Sequence, residues 1–216
     1  ALFRVFGTTQ SIDIIKKIMR EHSRIIFNGN NYSEEWLSEA RKRKLGDYPD
    51  SIRAFDCFTR EENILLFERH GIYTRAEIES RQEILYDEYA KEVRIEALTM
   101  SDMVRRSVLP AMSRFSGHTA DNLIKLQQCG MKASYESCLL EKLTALSDGV
   151  LKYTDELDEG IREMSNMATA DAARYACDYI RPLMASMRGC IDQAELICGY
   201  DVWPFPSYSE MLFSVV

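Results

Sequence analysis

Apolar residues return at intervals of three and four along most of this chain, the spacing that keeps one face of an α-helix apolar. Ile12, Ile15, Ile18 and Met19, continued by Ile25 and Ile26, predict a first helix that stops at Gly29 and the two asparagines after it. "YSEEWLSEARKRK" predicts a second helix, capped by Ser33, with Trp36 and Leu37 as its buried pair. Residues 45–57, "LGDYPDSIRAFDC", hold Gly, Pro and three Asp with no clear period and read as a loop. Two capping boxes follow, Thr59 with Glu62 and Thr74 with Glu77. The first opens a helix that closes at Gly71. The second opens one that runs past Met100 and Met103 to Pro110, where the missing N–H and the ring are expected to kink or end it.

Beyond Gly130 the period is most regular. Leu139, Leu143, Leu146, Val150, Tyr153, Leu157, Ile161 and Met164 form one seam, and Ala172, Ala176, Tyr179, Leu183, Met187, Cys190, Ala194 and Ile197 form a second. Two such seams joined by "SNMATAD" predict a long antiparallel helical hairpin, each arm about 40–50 Å at 1.5 Å per residue. Pro182 is expected to bend the second arm and Gly199 to end it. The fold class expected is therefore all-α: a helical bundle built around that hairpin. The chain then finishes on "DVWPFPSYSEMLFSVV", two prolines and four aromatic residues that predict an extended tail. Its domain organisation is expected to be 1–10 as a remnant or linker of something preceding, 11–200 as a helical domain, and 201–216 as a docking tail.

Composition narrows the function. With 216 residues and 46% hydrophobic content the chain can bury a core. Its formal charge of -7 repels phosphate backbones, so nucleic acid is not an expected partner. The one basic run, Arg41–Lys44, ends a stretch that begins with Glu34 and Glu35, which is the charge order that the helix dipole favours. No apolar run approaches 18 residues and no leader-like segment is visible, so a membrane is not expected and the cytoplasm is the expected location. The six cysteines contain no C-x-x-C pair and read as buried thiols. The chain opens on Ala1, and the alternation in "ALFRVFGTTQ" is strand-like, which suggests a piece of a longer polypeptide.

Candidate chemistry is sparse. His22, His70 and His118 stand in neither H-E-x-x-H nor E-x-x-H spacing, which puts two metal ligands on one helix face. Phosphate-cradling glycine loops and nucleophile elbows are missing. "DELDEG", Asp155–Gly160, reads as a solvated helix face, and Glu96 as half of a structural ion pair, with Arg105 and Arg106 following it. No catalytic, cofactor-binding or metal-binding residue is assigned.

Four stretches, taken together, carry a resemblance: "HSRIIFNGNNYSEEW" (22–36), residues 66–111 with "RIEALTMSDMVRRSVLPA", the paired seams, and "WPFPSYSEMLF" (203–213). In this order they resemble the carboxy-terminal region of type III glutamine synthetases. The resemblance implies a parent ligase that makes glutamine from glutamate, ammonia and ATP with Mg or Mn, as a large cytosolic homo-oligomer. It implies as partners the rest of the parent chain and neighbouring subunits. The family's metal, ATP and glutamate residues belong to a catalytic domain that precedes this region, so none is carried over. Trp203, Phe205 and Tyr208 are the candidate docking residues, on a strip whose prolines limit the entropy lost on docking. The alternative is a free-standing helical adaptor that grips a partner along the hairpin groove.

Overall fold

The computed structural model describes residues 8–23 and 26–213. The strand-like opening at 1–7, Ile25 of the first predicted helix and the last three residues lie outside them. The protein is all-α: ten α-helices and two π-helical turns follow one another, with no strand among the described residues. The chain forms two compact units, residues 1–54 and 55–216.

In the first unit α1 (Thr8–Glu21) ends earlier than its apolar period suggests. The second helix, α2 (Glu34–Lys42), begins where Ser33 accepts the Trp36 amide, with Glu34 and Glu35 in its first turn and Arg41 and Lys42 in its last. Its fully buried residue is Ala40; Trp36 is only half-buried and packs on Phe27 with ring centroids 4.8 Å apart. The stretch read as a loop contains a short helix, α3 (Ser51–Phe55). Asp50 explains it, because its carboxylate accepts the Arg53 amide at 2.8 Å and so starts a turn that no hydrophobic period announces.

In the second unit α4 (Glu61–Arg69) is capped by Arg60 without any side-chain bond, so the predicted Thr59–Glu62 box does not form. Successive turns, Phe58 N–H to Phe55 O and Arg60 N–H to Cys57 O, hold Thr59 one position too early to serve as the cap. The Thr74–Glu77 box does form, with both reciprocal bonds, and opens α5 (Arg75–Met103). Gly71 supplies the turn between the two, at φ 61°, a conformation glycine adopts without steric penalty.

Helix α5 does not end at Pro110. It passes through a π turn, Val104–Val108, directly into α6 (Leu109–Gln128). A proline offers no N–H to the carbonyl four residues back, and its ring presses on that carbonyl. One inserted residue widens the turn, and the Leu109 amide reaches back five residues to Val104 O. The same device recurs after α7 (Ser134–Met164) and α8 (Thr169–Tyr175). There the π turn Ala176–Ile180 precedes Pro182, and the Arg181 amide reaches Ala176 O before α9 (Arg181–Glu195) continues.

The second apolar seam keeps Ala172, Ala176, Leu183, Met187 and Ala194 buried as expected and departs from the prediction beside the π turn and once further along. Tyr179, expected inside, is 42% exposed, while Ile180 beside it is fully buried, and Ile191 is buried further along in the same register. Against this seam stand Leu143, Val150, Leu157 and Ile161 of α7. Thr154 O–H is buried between its own helix and α9, bonded to Val150 O at 2.7 Å and 3.3 Å from Met187 Sδ. Two glycines let α7 and the opposing arm approach closely. A Cβ at Gly149 would stand 3.6 Å from Cys190 Sγ, and one at Gly160 only 2.8 Å from Ile180 Cδ1. Helices α5 and α6 complete the bundle with Ile78, Ala97, Val104, Val108 and Met112. Each fully buried Ile, Leu or Met contributes roughly 1.5–3 kcal/mol over an exposed one.

The predicted extended tail is corrected at its end. Residues 201–207 form turns and bends, but Tyr208–Phe213 is a helix, α10. Ser207 and Glu210 make a reciprocal capping box, Ser207 N–H to Glu210 Oε2 at 2.7 Å and Glu210 N–H to Ser207 Oγ at 3.2 Å.

Candidate interaction surface

The three aromatic residues singled out in the tail have different environments. Trp203 and Phe205 are half-buried and meet edge to face with centroids 6.3 Å apart. The Trp203 Nε1–H is buried and finds no acceptor among the described residues. Tyr208 stands apart from them, 81% exposed at the start of α10. None of the α10 residues is buried, and Met211, Leu212 and Phe213 also face solvent.

Phe205 forms one wall of a groove of about 610 Å³. Its floor is apolar: Ile95, Met100 and Met103 from α5, Val104 and Val108 from the first π turn, and Ile191 from α9. Its rim carries Glu96, Asp192, Glu195 and Arg188. Arg188 is committed to Asp192, four residues on, and that pairing holds the guanidinium pKa above its ordinary value. Neither Glu96 nor Glu195 takes an ion-pair partner among the described residues. The predicted structural pair for Glu96 is therefore not made, because Arg106 turns to Asp102 and Arg105 crosses to α7.

Arg105 changes the reading of "DELDEG" as well. Its guanidinium donates to Asp155 Oδ1 at 2.7 Å and to Asp158 Oδ2 at 2.6 Å, and Ser101 O–H donates to Asp158 Oδ1 at 2.6 Å. What looked like a solvated acidic face is half-occupied in clamping the first π turn to α7. A second clamp lies near the middle of α5, where Asp56 accepts from Tyr86 O–H and from Arg174 Nη2 at 3.0 Å. Burial first, then the bond to Asp56, raises the Tyr86 pKa to about 12.

Both clamps tie separate helices together. The three histidines lie apart, on or near different helix ends or surfaces, and among the described residues no three His, Cys, Asp or Glu side chains come together as a metal site. The donor set here does not fit an ATP–metal centre. Sequence reasoning found the tail aromatics but missed the groove, because its residues come from three segments 95–108, 188–195 and 205. The uncapped, unpaired Glu96 within an apolar stretch was the signal available.

The class defined by these elements is an all-α domain, with an apolar groove and an aromatic tail among its exposed features. Residues 10–127 match the family model of the glutamine synthetase C-terminal domain. The chain belongs to that family. It is 31% identical over 206 residues to a glutamine synthetase of Butyrivibrio fibrisolvens, covering 94% of this chain and 29% of that protein. It is 30% identical to a type-3 glutamine synthetase of Dictyostelium discoideum, covering 93% of this chain and 28% of the relative. A glutamine synthetase of Bacteroides fragilis (strain YCH46) is 24% identical over 208 residues. The chain thus spans under a third of the length of the curated relatives it matches.

Proposed function

We infer that this chain is the non-catalytic, carboxy-terminal helical domain of a type III glutamine synthetase whose longer polypeptide joins ammonia to glutamate at the expense of ATP. ATP and the divalent metal are held by residues outside this chain. In that reading residues 1–10 connect to the preceding catalytic part, 11–200 are the helical domain, and 201–216 dock onto the parent chain or a neighbouring subunit of a cytoplasmic homo-oligomer. No helix among the described residues is long and apolar enough to cross a membrane, in keeping with that setting.

The observation that carries the docking part is α10. Six residues are too few to hold a helix by backbone bonds alone, and this one buries nothing while presenting Tyr208, Met211, Leu212 and Phe213. The unpaired Trp203 Nε1–H points the same way, since leaving a buried donor without an acceptor costs about 1–3 kcal/mol.

Two experiments test this. The 216-residue chain, assayed with ATP, glutamate, ammonium and magnesium, is expected to show no turnover; turnover would overturn the non-catalytic reading. Removing residues 201–216 from the full-length enzyme is expected to weaken its assembly while the bundle's own unfolding transition is retained. Intact assembly with a destabilised bundle would sink the docking role.

A further inference from the structure

The groove beside Phe205 and the exposed face of α1 are both apolar and carry opposite charge at their borders. Helix α1 presents Ile12, Ile15 and Met19 on one face, all substantially solvent-exposed, in the i, i+3, i+7 pattern by which a helix seats in a groove. Ile18 widens the stripe on one side, and Lys16 and Arg20, one turn apart, border it on the other. Those cations hold no short ion pair: Lys16 is 3.9 Å from Asp13, both well exposed, and no pair involves Arg20 among the described residues. The groove offers the complement. Its floor is Ile, Met and Val, and its rim has Glu96 and Glu195, which make no close ion pair among the described residues and meet only the longer-range charge of Arg181 and Arg188 respectively.

The lengths also agree. From Ile12 to Met19 is seven residues, about 10 Å of helix, and the α9 wall of the groove from Arg188 to Glu195 is the same seven residues. The α5 and π-turn wall, Ile95–Val108, is about 20 Å long, room for all fourteen residues of α1.

We propose that α1 of one copy of this chain seats its Ile12–Ile15–Met19 stripe in the Phe205 groove of a second copy, with Lys16 and Arg20 against Glu96 and Glu195. The contact is heterologous, one surface of a copy meeting a different surface of the next, so a repeated rotation closes a ring or propagates. This rests on the assembly reading above only in naming a second copy as the occupant, and it needs no part of the ligase chemistry.

Charge reversal separates this contact from others. The test uses size-exclusion chromatography with light scattering on the 216-residue chain over a concentration series. The unaltered chain is expected to self-associate, less so at high salt because rim charges are screened. Lys16→Glu with Arg20→Glu, and separately Glu96→Lys with Glu195→Lys, are each expected to weaken association at least about tenfold. All four residues are exposed, and circular dichroism and melting temperature confirm that each variant is folded. The decisive sample is the equimolar mixture. The first variant's acidic α1 fits the second's basic groove, and the second's basic α1 fits the first's acidic groove, so mixing is expected to restore association.

A chain that stays monomeric throughout, association indifferent to the reversals, or a mixture that fails to recover would each overturn the proposal. Association that survives both reversals but is lost when residues 201–216 are removed would assign assembly to the tail instead. In that case this interface fails while the docking reading of the tail stands.

Discussion

Glu77 accepts the backbone N–H of Thr74 at 2.8 Å and its hydroxyl at 2.9 Å, and these bonds hold its carboxyl below the ordinary carboxylate value. A lowered folded-state pKa stabilises above the unfolded pKa of about 4.3 and is lost as pH falls through the lower folded value. Thermal melts of Glu77→Ala should therefore fall below those of the unaltered chain at pH 7, with the gap closing as pH falls through the lowered folded-state value. Thr74→Ala removes the cap hydroxyl and should cost about 1 kcal/mol at neutral pH. A sharper residue-scale test concerns Tyr179 and Ile180. Ile180→Ala should cost about 2–5 kcal/mol as a cavity in the α7–α9 seam, while Tyr179→Ala, half in solvent, should cost within about 1 kcal/mol. Denaturant unfolding of the two variants reads the difference directly, and equal costs would contradict the burial of Ile180 in place of Tyr179. Cysteine reactivity follows burial too. Cys198, whose thiol burial raises to a pKa of about 11, should react with iodoacetamide at pH 8 far more slowly than exposed Cys129 and Cys138.

At the scale of elements, the helices were legible where local rules suffice. The Thr74–Glu77 box and the Ser33 cap each depend on residues within one turn and both form, whereas along α7 the predicted Leu146 and Tyr153 are only half-buried and Thr154 is buried beside them. What was not legible depends on counting across an irregularity. A strict alternation of threes and fours puts Tyr179 inside, and only the residue inserted ahead of Pro182 moves Ile180 there. The proline marks a disturbance of the helix but not its end, since widening one turn relieves its clash while the helix continues. At the tail the "WPFP" signal masked a second one, the Ser207–Glu210 box directly behind it, and so α10 was read as extended. Glycine spacing offers a test of the close approach in the bundle. Gly160→Val should destabilise by about 1–3 kcal/mol, because a Cβ already meets Ile180 Cδ1 at 2.8 Å.

For the whole molecule, the candidate surface divides in the same way. The aromatic tail is contiguous in sequence and could be found there, whereas the groove is assembled from α5, α9 and Phe205, segments brought together only by the bundle. The two clamps, Arg105 to α7 and Asp56 to Tyr86 and Arg174, hold the carboxy-terminal end and the middle of α5 against its neighbours. Removing either should loosen the position of that helix and hence one wall of the groove. Arg105→Met, which keeps the side-chain bulk but leaves Asp155 and Asp158 without their cation, should lower the melting temperature and raise amide exchange across Met100–Val108. Exchange unchanged there would mean that the apolar contacts alone set the groove.

The pairing of a π turn with a proline has a consequence for the family's history. At each π turn the helix carries one residue more than a regular helix of the same span needs, and the proline two residues beyond gives that extra residue a use. A one-residue deletion within 104–108 or 176–180 would return that turn to regular α geometry and leave the later seam residues facing as they do, but would be tolerated only alongside replacement of the proline, whose ring clashes in a regular turn. Chain length and proline content at these two places should therefore have changed together or not at all, so that relatives lacking Pro110 or Pro182 are one residue shorter just before the vacant position.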